Sequence, residues 1–211
     1  MARDYTLDTS AAIESNSGGK RIKDPGIYSG KILHAWYELS PKRSECVQIL
    51  FKSDSGQEVG PLAVYTHNAN GEPLIGYNLL NAILMCAKVH SMSSKPGMVE
   101  LYDFDVNKTV SKQKEIYTEL TNKPIGLALR AEEYENRNKE LKEKLIILAP
   151  FDPATKLTAD EIIKKELSPK SLERIAAWIE KEPVKRLKRK PADPYQQLQS
   201  HDLPPDDDIP F

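Results

Sequence analysis

The segment Pro204-Pro205-Asp206-Asp207-Asp208-Ile209-Pro210-Phe211 gathers several kinds of recognition chemistry into one short peptide. Read as the chain end, Phe211 offers an aromatic ring and an α-carboxylate together, so one apolar pocket rimmed by a basic residue captures both. Pro204, Pro205 and Pro210 hold the backbone extended, which lowers the ordering cost of binding. Asp206, Asp207 and Asp208 steer the peptide towards basic surfaces, an attraction that weakens with salt. Solubility alone would not call for an aromatic residue in last place. Residues Asp206–Phe211 therefore read as a partner-docking tip.

A second group could do metal chemistry. Asp103 and Asp105 in LYDFDV stand at i and i+2, which shares one face of a strand, and Glu100 lies nearby. A metal-dependent nuclease would use such a pair. No lysine or histidine constellation completes it, and the chain has no phosphate loop, HExxH helix or nucleophile elbow. No catalytic residue, metal or cofactor is assigned. The two cysteines, Cys46 and Cys86, sit in separate apolar runs without metal-ligand spacing and read as small buried hydrophobes in a reducing compartment.

Charge is unevenly distributed. The net charge of the 211 residues is −1, yet residues 191–211 hold five aspartates and no lysine or arginine. Residues 1–190 thus carry 30 basic and 26 acidic side chains, a net of +4. No apolar run reaches membrane-spanning length and the start lacks a signal-peptide pattern, so a cytoplasmic protein is expected.

The elements that must position these groups follow from periodicity. Residues 1–20 are polar and aperiodic, a flexible arm. Strands are expected at 26–40, 45–52 and 58–67, the second with Val47, Ile49 and Phe51 forming an apolar face. From Pro73, apolar residues recur at three- and four-residue steps, predicting a helix of about 16 residues, largely buried. Residues 97–124 read as an insertion or an extra strand. Strands on either side of the turn 135–140 form a hairpin ending near Ala149. Thr158 and Glu161 make a capping box, and Ser168-Pro169 opens a last helix to about Glu180. The basic run 185–190 serves as a DNA contact, a dock for the acidic tail or a solvated linker. The tail beyond it is too polar to fold.

Strand, strand, strand, helix, strand, strand is the element order of the OB-fold, a five-stranded Greek-key barrel. The expected layout is thus an arm (1–20), a mainly β domain (21–150), a helical extension (151–184) and a basic-then-acidic tail (185–211). Such barrels bind strands across their second and third strands and adjoining loops. The candidates are Lys42 and Arg43 in one loop, Arg137 and Lys139 in another, Tyr65 and His67 on the third strand, and Arg130 and Tyr134 on the fourth. Trp36 and Tyr37 point to opposite faces, so only one can stack on a base, and Trp36 is the candidate. Lys31, Lys52, Lys142 and Lys144 are placed for phosphates. Trp178 reads as packing.

The terminal DDDIPF resembles the acidic tip of bacterial single-stranded DNA-binding proteins, which end in an acidic run followed by Ile-Pro-Phe. The remainder resembles phage single-stranded DNA-binding proteins with one OB-fold, on element order and stretches such as GLALRAEEYENRN. The resemblance implies a non-enzymatic protein that coats single-stranded DNA in replication, recombination or repair. It also implies partners docked by the tip: a polymerase, helicase, nuclease or annealing protein. An RNA-binding or scaffolding OB-fold is the alternative from composition, since stacking is indifferent to the 2′-hydroxyl. A nuclease is the alternative from another class, and homo-oligomerisation is left open.

Overall fold

A computed structural model describes residues 6–7, 21–103, 108–136 and 138–187; for 102 and 103 only the backbone is described. Among these residues eight strands and three α-helices follow in the order β1 (Gly26–Leu39), β2 (Glu45–Ser53), β3 (Glu58–His67), α1 (Ile75–Cys86), β4 (Lys95–Asp103), β5 (Lys108–Ile116), β6 (Pro124–Glu135), β7 (Leu141–Phe151), α2 (Ala159–Lys164), α3 (Lys170–Lys181) and β8 (Val184–Lys185). Most of the expected arm and the expected tail from 188 onward lie outside the described residues; the tail's start at 185 is corrected, because Lys185 belongs to β8 and pairs with Glu132 of β6.

The architecture is mainly β, one sheet whose strands are antiparallel except where β8 runs beside β6. β1 is its spine. One edge pairs along β2, which pairs with β3. The other edge is shared: Gly26–Lys31 pair with β6, and Trp36–Tyr37 pair with β5. β6 then pairs with β7. β3 and β7 approach each other, with a cavity of about 350 Å³ between them. No ladder joins the two strands among the described residues. Arg21 and Ile22 lie along β3, Ile22 donating its backbone N–H to Glu58 at 2.9 Å.

Alternation builds the core. Val47, Ile49 and Phe51 of β2 meet Leu62 and Val64 of β3, Ile32 and Ala35 of β1, and Ile125, Leu127 and Leu129 of β6. α1 closes this core with Leu80, Ile83 and Cys86. It does so on one side only: Ile75 is 89 % exposed, and Tyr77 and Met85 are exposed too. The expected helix of about 16 residues, largely buried, is corrected to 12 residues with one buried stripe. Its apolar outer residues were counted as core because hydropathy does not report what covers them.

Two further expectations change. The uncertain segment 97–124 is a hairpin, β4 against β5 over nine register pairs, followed by a 3-10 turn at Thr118–Leu120. The last helix begins at Lys170 with Pro169 as its N-cap, and Ser168 makes no capping bond. Its first turn is served from a distance. Glu161 Oε1 accepts the Ser171 backbone N–H at 2.6 Å, while Oε2 accepts the backbone N–H and hydroxyl of Thr158, each at 2.9 Å. One buried carboxylate thus caps α2 and α3 together.

Candidate nucleic-acid interface

Opposite strand partners share a face, as do residues i and i+2. Starting from Trp36, the register fixes which side chains lie on the sheet face turned away from the core. Across β2 and β3 the outer rows are Trp36–Gln48–Ala63 and Glu38–Cys46–Tyr65, with Lys31 beside Lys52 further along. Across β5, Trp36 stands opposite Ile116, which carries the same face onto the hairpin. There it bears Lys95, Val99 and Leu101 of β4 and Lys108, Val110, Lys112 and Lys114 of β5, with Asp103 in register with Lys108. Glu100 and Glu115 occupy the hairpin's other face.

One carboxylate ties the hairpin to the spine. Glu38 Oε2 accepts the Trp36 indole N–H at 3.2 Å, and its Oε1 holds Lys114 Nζ at 3.2 Å. Trp36 is 1 % exposed, and Val99 is fully buried although neither belongs to the main core. The candidacy of Trp36 as a base platform is therefore corrected. Its parity is the outer face, but the ring is buried and its N–H is held by the carboxylate that also holds the hairpin's Lys114. Tyr65 is different, at 42 % exposed. It lies over the small Cys46, and burial, followed by the neighbouring Cys46 and Glu38, raises its phenol above the ordinary value. The ring is neutral and available for stacking.

Arg130 is the second correction. It is 6 % exposed and faces protein. Its Nε donates to the Glu182 carbonyl at 2.9 Å, a terminal nitrogen pairs with the Glu182 carboxylate at 3.1 Å, and the guanidinium lies 4.3 Å from the Trp178 ring centroid. Trp178 Nε1 donates to the same carboxylate at 3.3 Å. Arg130 is thus the pin that holds α3 on β6.

The remaining candidates fall into separate places. Lys52 pairs with Glu58 at 3.0 Å. His67 stands 3.4 Å from Glu45 and meets Tyr77 edge-on at 5.4 Å. Lys42 and Arg43 are exposed in the β1–β2 loop, with Arg43 at φ 60°. Tyr134, half-buried, lies under Lys144 at 5.6 Å on the β6–β7 hairpin. Lys142 pairs with Glu140 at 3.6 Å, and Lys139 sits at the hairpin turn. Arg137 and the tip Asp206–Phe211 lie outside the described residues, as does Asp105. Lys31, Lys52 and Tyr65 therefore share the outer face with each other, whereas Lys139, Lys142 and Tyr134 belong to the end of a different hairpin. Lys95, Lys108, Lys112 and Lys114 join the outer face without having been singled out from sequence. The signal was present as the run KTVSKQKEI, whose lysines at 108, 112 and 114 share one parity.

Among the described residues no group of three or more His, Cys, Asp or Glu could hold a metal ion. Both cysteines are free and buried, and burial pushes the Cys46 thiol to about 11 and the Cys86 thiol to about 12. Neither is a nucleophile near neutral pH. No helix among the described residues is long and apolar enough to cross a membrane. No family model matches this chain, and no curated protein matches it.

Proposed function

We propose that this protein binds single-stranded DNA without sequence preference, on an OB-fold-like barrel, and recruits replication, recombination or repair proteins through Asp206–Phe211. The observation that carries this reading is the joining of an exposed Tyr65 to lysines on one continuous face of the sheet, across β1, β2, β3 and the β4–β5 hairpin. Backbone phosphates need cations, and unstacked bases need an aromatic face, each stacked base being worth about 1–3 kcal/mol.

The barrel reading has its own support. Strand order β3-β2-β1-β6-β7, with α1 between β3 and the later strands, is what a five-stranded Greek key requires, and β3 lies against β7 where closure would fall. The tip supplies the second half of the function. Its resemblance to bacterial single-stranded DNA-binding proteins favours DNA over RNA.

The test is a titration of labelled oligo-dT of about 30 nucleotides at two salt concentrations, read by anisotropy. The full chain is compared with a chain ending at Pro205. Tight binding that falls steeply with salt and persists without the tip is the expected outcome. Absence of binding by both forms would overturn the reading, as would oligo-U bound more tightly than oligo-dT.

A further inference from the structure

The lysine side of the β4–β5 hairpin is a surface with a ligand chemistry of its own. Only Glu115 and Ile116 of β5 pair with the spine, so most of the hairpin projects past β1. Its two faces differ in charge. All four cations, Lys95, Lys108, Lys112 and Lys114, stand on one, where Asp103 is in register with Lys108, and Glu100 and Glu115 stand on the other. A hairpin that merely needed solubility would mix the signs on both faces. Here the cations are sorted onto the side that continues the outer face of the sheet.

The spacing is also ordered. Lys112 and Lys114 are two residues apart on a strand, about 7 Å, and Lys108 lies about 13 Å from Lys112. Cations in such a row follow an extended polyanion rather than a compact one. The foot of the row is fixed, because Lys114 is held by Glu38, which also holds the buried Trp36. Lysine on a flexible stem suits a point contact to a phosphate with no base preference.

We propose that this hairpin is an arm that tracks the phosphodiester backbone of an extended single strand leaving the Tyr65 face, which lengthens the footprint beyond the barrel strands. The inference rests on the single-strand binding proposed above. Within it, the bases lie towards Tyr65, and the phosphates run along Lys114, Lys112 and Lys108.

The experiment uses the full chain and oligo-dT of about 30 nucleotides. The variant K95Q/K108Q/K112Q removes three arm cations and leaves the Lys114–Glu38 anchor in place. K164Q/K165Q/K170Q removes three exposed lysines from the C-terminal helical region and is the charge-matched control. Each phosphate contact on a single strand adds roughly 0.7 to the salt slope, so the arm variant should lose about 2 from its slope and bind roughly tenfold or more weakly at low salt. The control should keep the wild-type slope. If the arm variant melts early, K95Q/K112Q replaces it, with an expected slope loss of about 1.4. Wild-type binding with an unchanged slope in the arm variant would overturn the arm alone. Equal weakening in the control would overturn it too, since charge and not place would then matter. No wild-type binding would remove both proposals.

Discussion

The outer face of the sheet is finished in two ways, one along β6 and the other along β2, β3 and the β4–β5 hairpin. Along β6 it is closed: α3 lies across it, Arg130 is sealed under Trp178 and Glu182, and Phe151 is wholly buried against Gly126, where a methyl group would collide with its ring. Along β2 and β3 it is open, with Tyr65 exposed, and the hairpin carries lysines on the face where Trp36 and Val99 are buried. Both halves begin from outward-pointing strand residues of similar kind, an aromatic ring and a long cation. What separates them is the cover. An amphipathic helix turns Arg130 into a structural pin, while Trp36 is buried beside a hairpin whose Lys95, Lys108 and Lys112 are exposed.

The difference can be broken most sharply from the closed side. Glu161→Ala orphans three donors at a site 1 % exposed and should cost about 3 kcal/mol, seen as a lowered denaturation midpoint, with oligo-dT affinity kept. The same carboxylate makes this half sensitive to acid. Burial by itself would raise Glu161, but the bonds from Thr158 and Ser171 outweigh it and hold the group below its ordinary 4.5. A carboxylate lowered on folding contributes stability above its unfolded value and loses it as pH falls through the folded one. Wild type should therefore lose stability below about pH 4.5 more steeply than Glu161→Ala, and parallel acid limbs would count against this.

Arg130→Ala is the next largest. Its partner Glu182 is half exposed and regains water, so the expected loss is about 2 kcal/mol, again with binding unchanged. A large loss of oligo-dT affinity with normal stability would return Arg130 to the binding surface. On the open side the signs reverse. Tyr65→Ala should leave the midpoint nearly alone and weaken oligo-dT about tenfold, roughly 1.4 kcal/mol. The smallest effect belongs to Glu38→Gln. Removing an anion from the lysine face should tighten binding two- to threefold at low salt, at a stability cost of about 0.5 kcal/mol. Weaker binding instead would mean that Glu38 matters more as an anchor than as a charge.

These halves were not equally legible in the sequence. β3 was read residue for residue, and β1 and β2 within one residue, because Val47, Ile49 and Phe51 alternate against polar neighbours. The capping box at Thr158 was read from four letters, but not the reach of Glu161 to Ser171, which is a contact between two helices. Trp36 and Arg130 were placed on the correct parity and given the wrong fate. Parity is local, whereas cover is tertiary and comes from residues some 50 to 80 positions away. The β4–β5 hairpin was obscure for the opposite reason. KTVSKQKEI has few apolar residues, so its alternation is one of charge, which a search for apolar period does not register.

The chain holds two tryptophans, and each half owns one. Trp36 is enclosed at the foot of the arm, and Trp178 is partly open over the Arg130 pin. Their intrinsic emission should differ in wavelength and in access to a dissolved quencher. A Trp178→Phe variant would leave a reporter of the arm alone, and Trp36→Phe a reporter of the helix alone. The protein thus carries its own pair of optical gauges, able to tell whether a bound strand or an acid jump disturbs one half, the other or both.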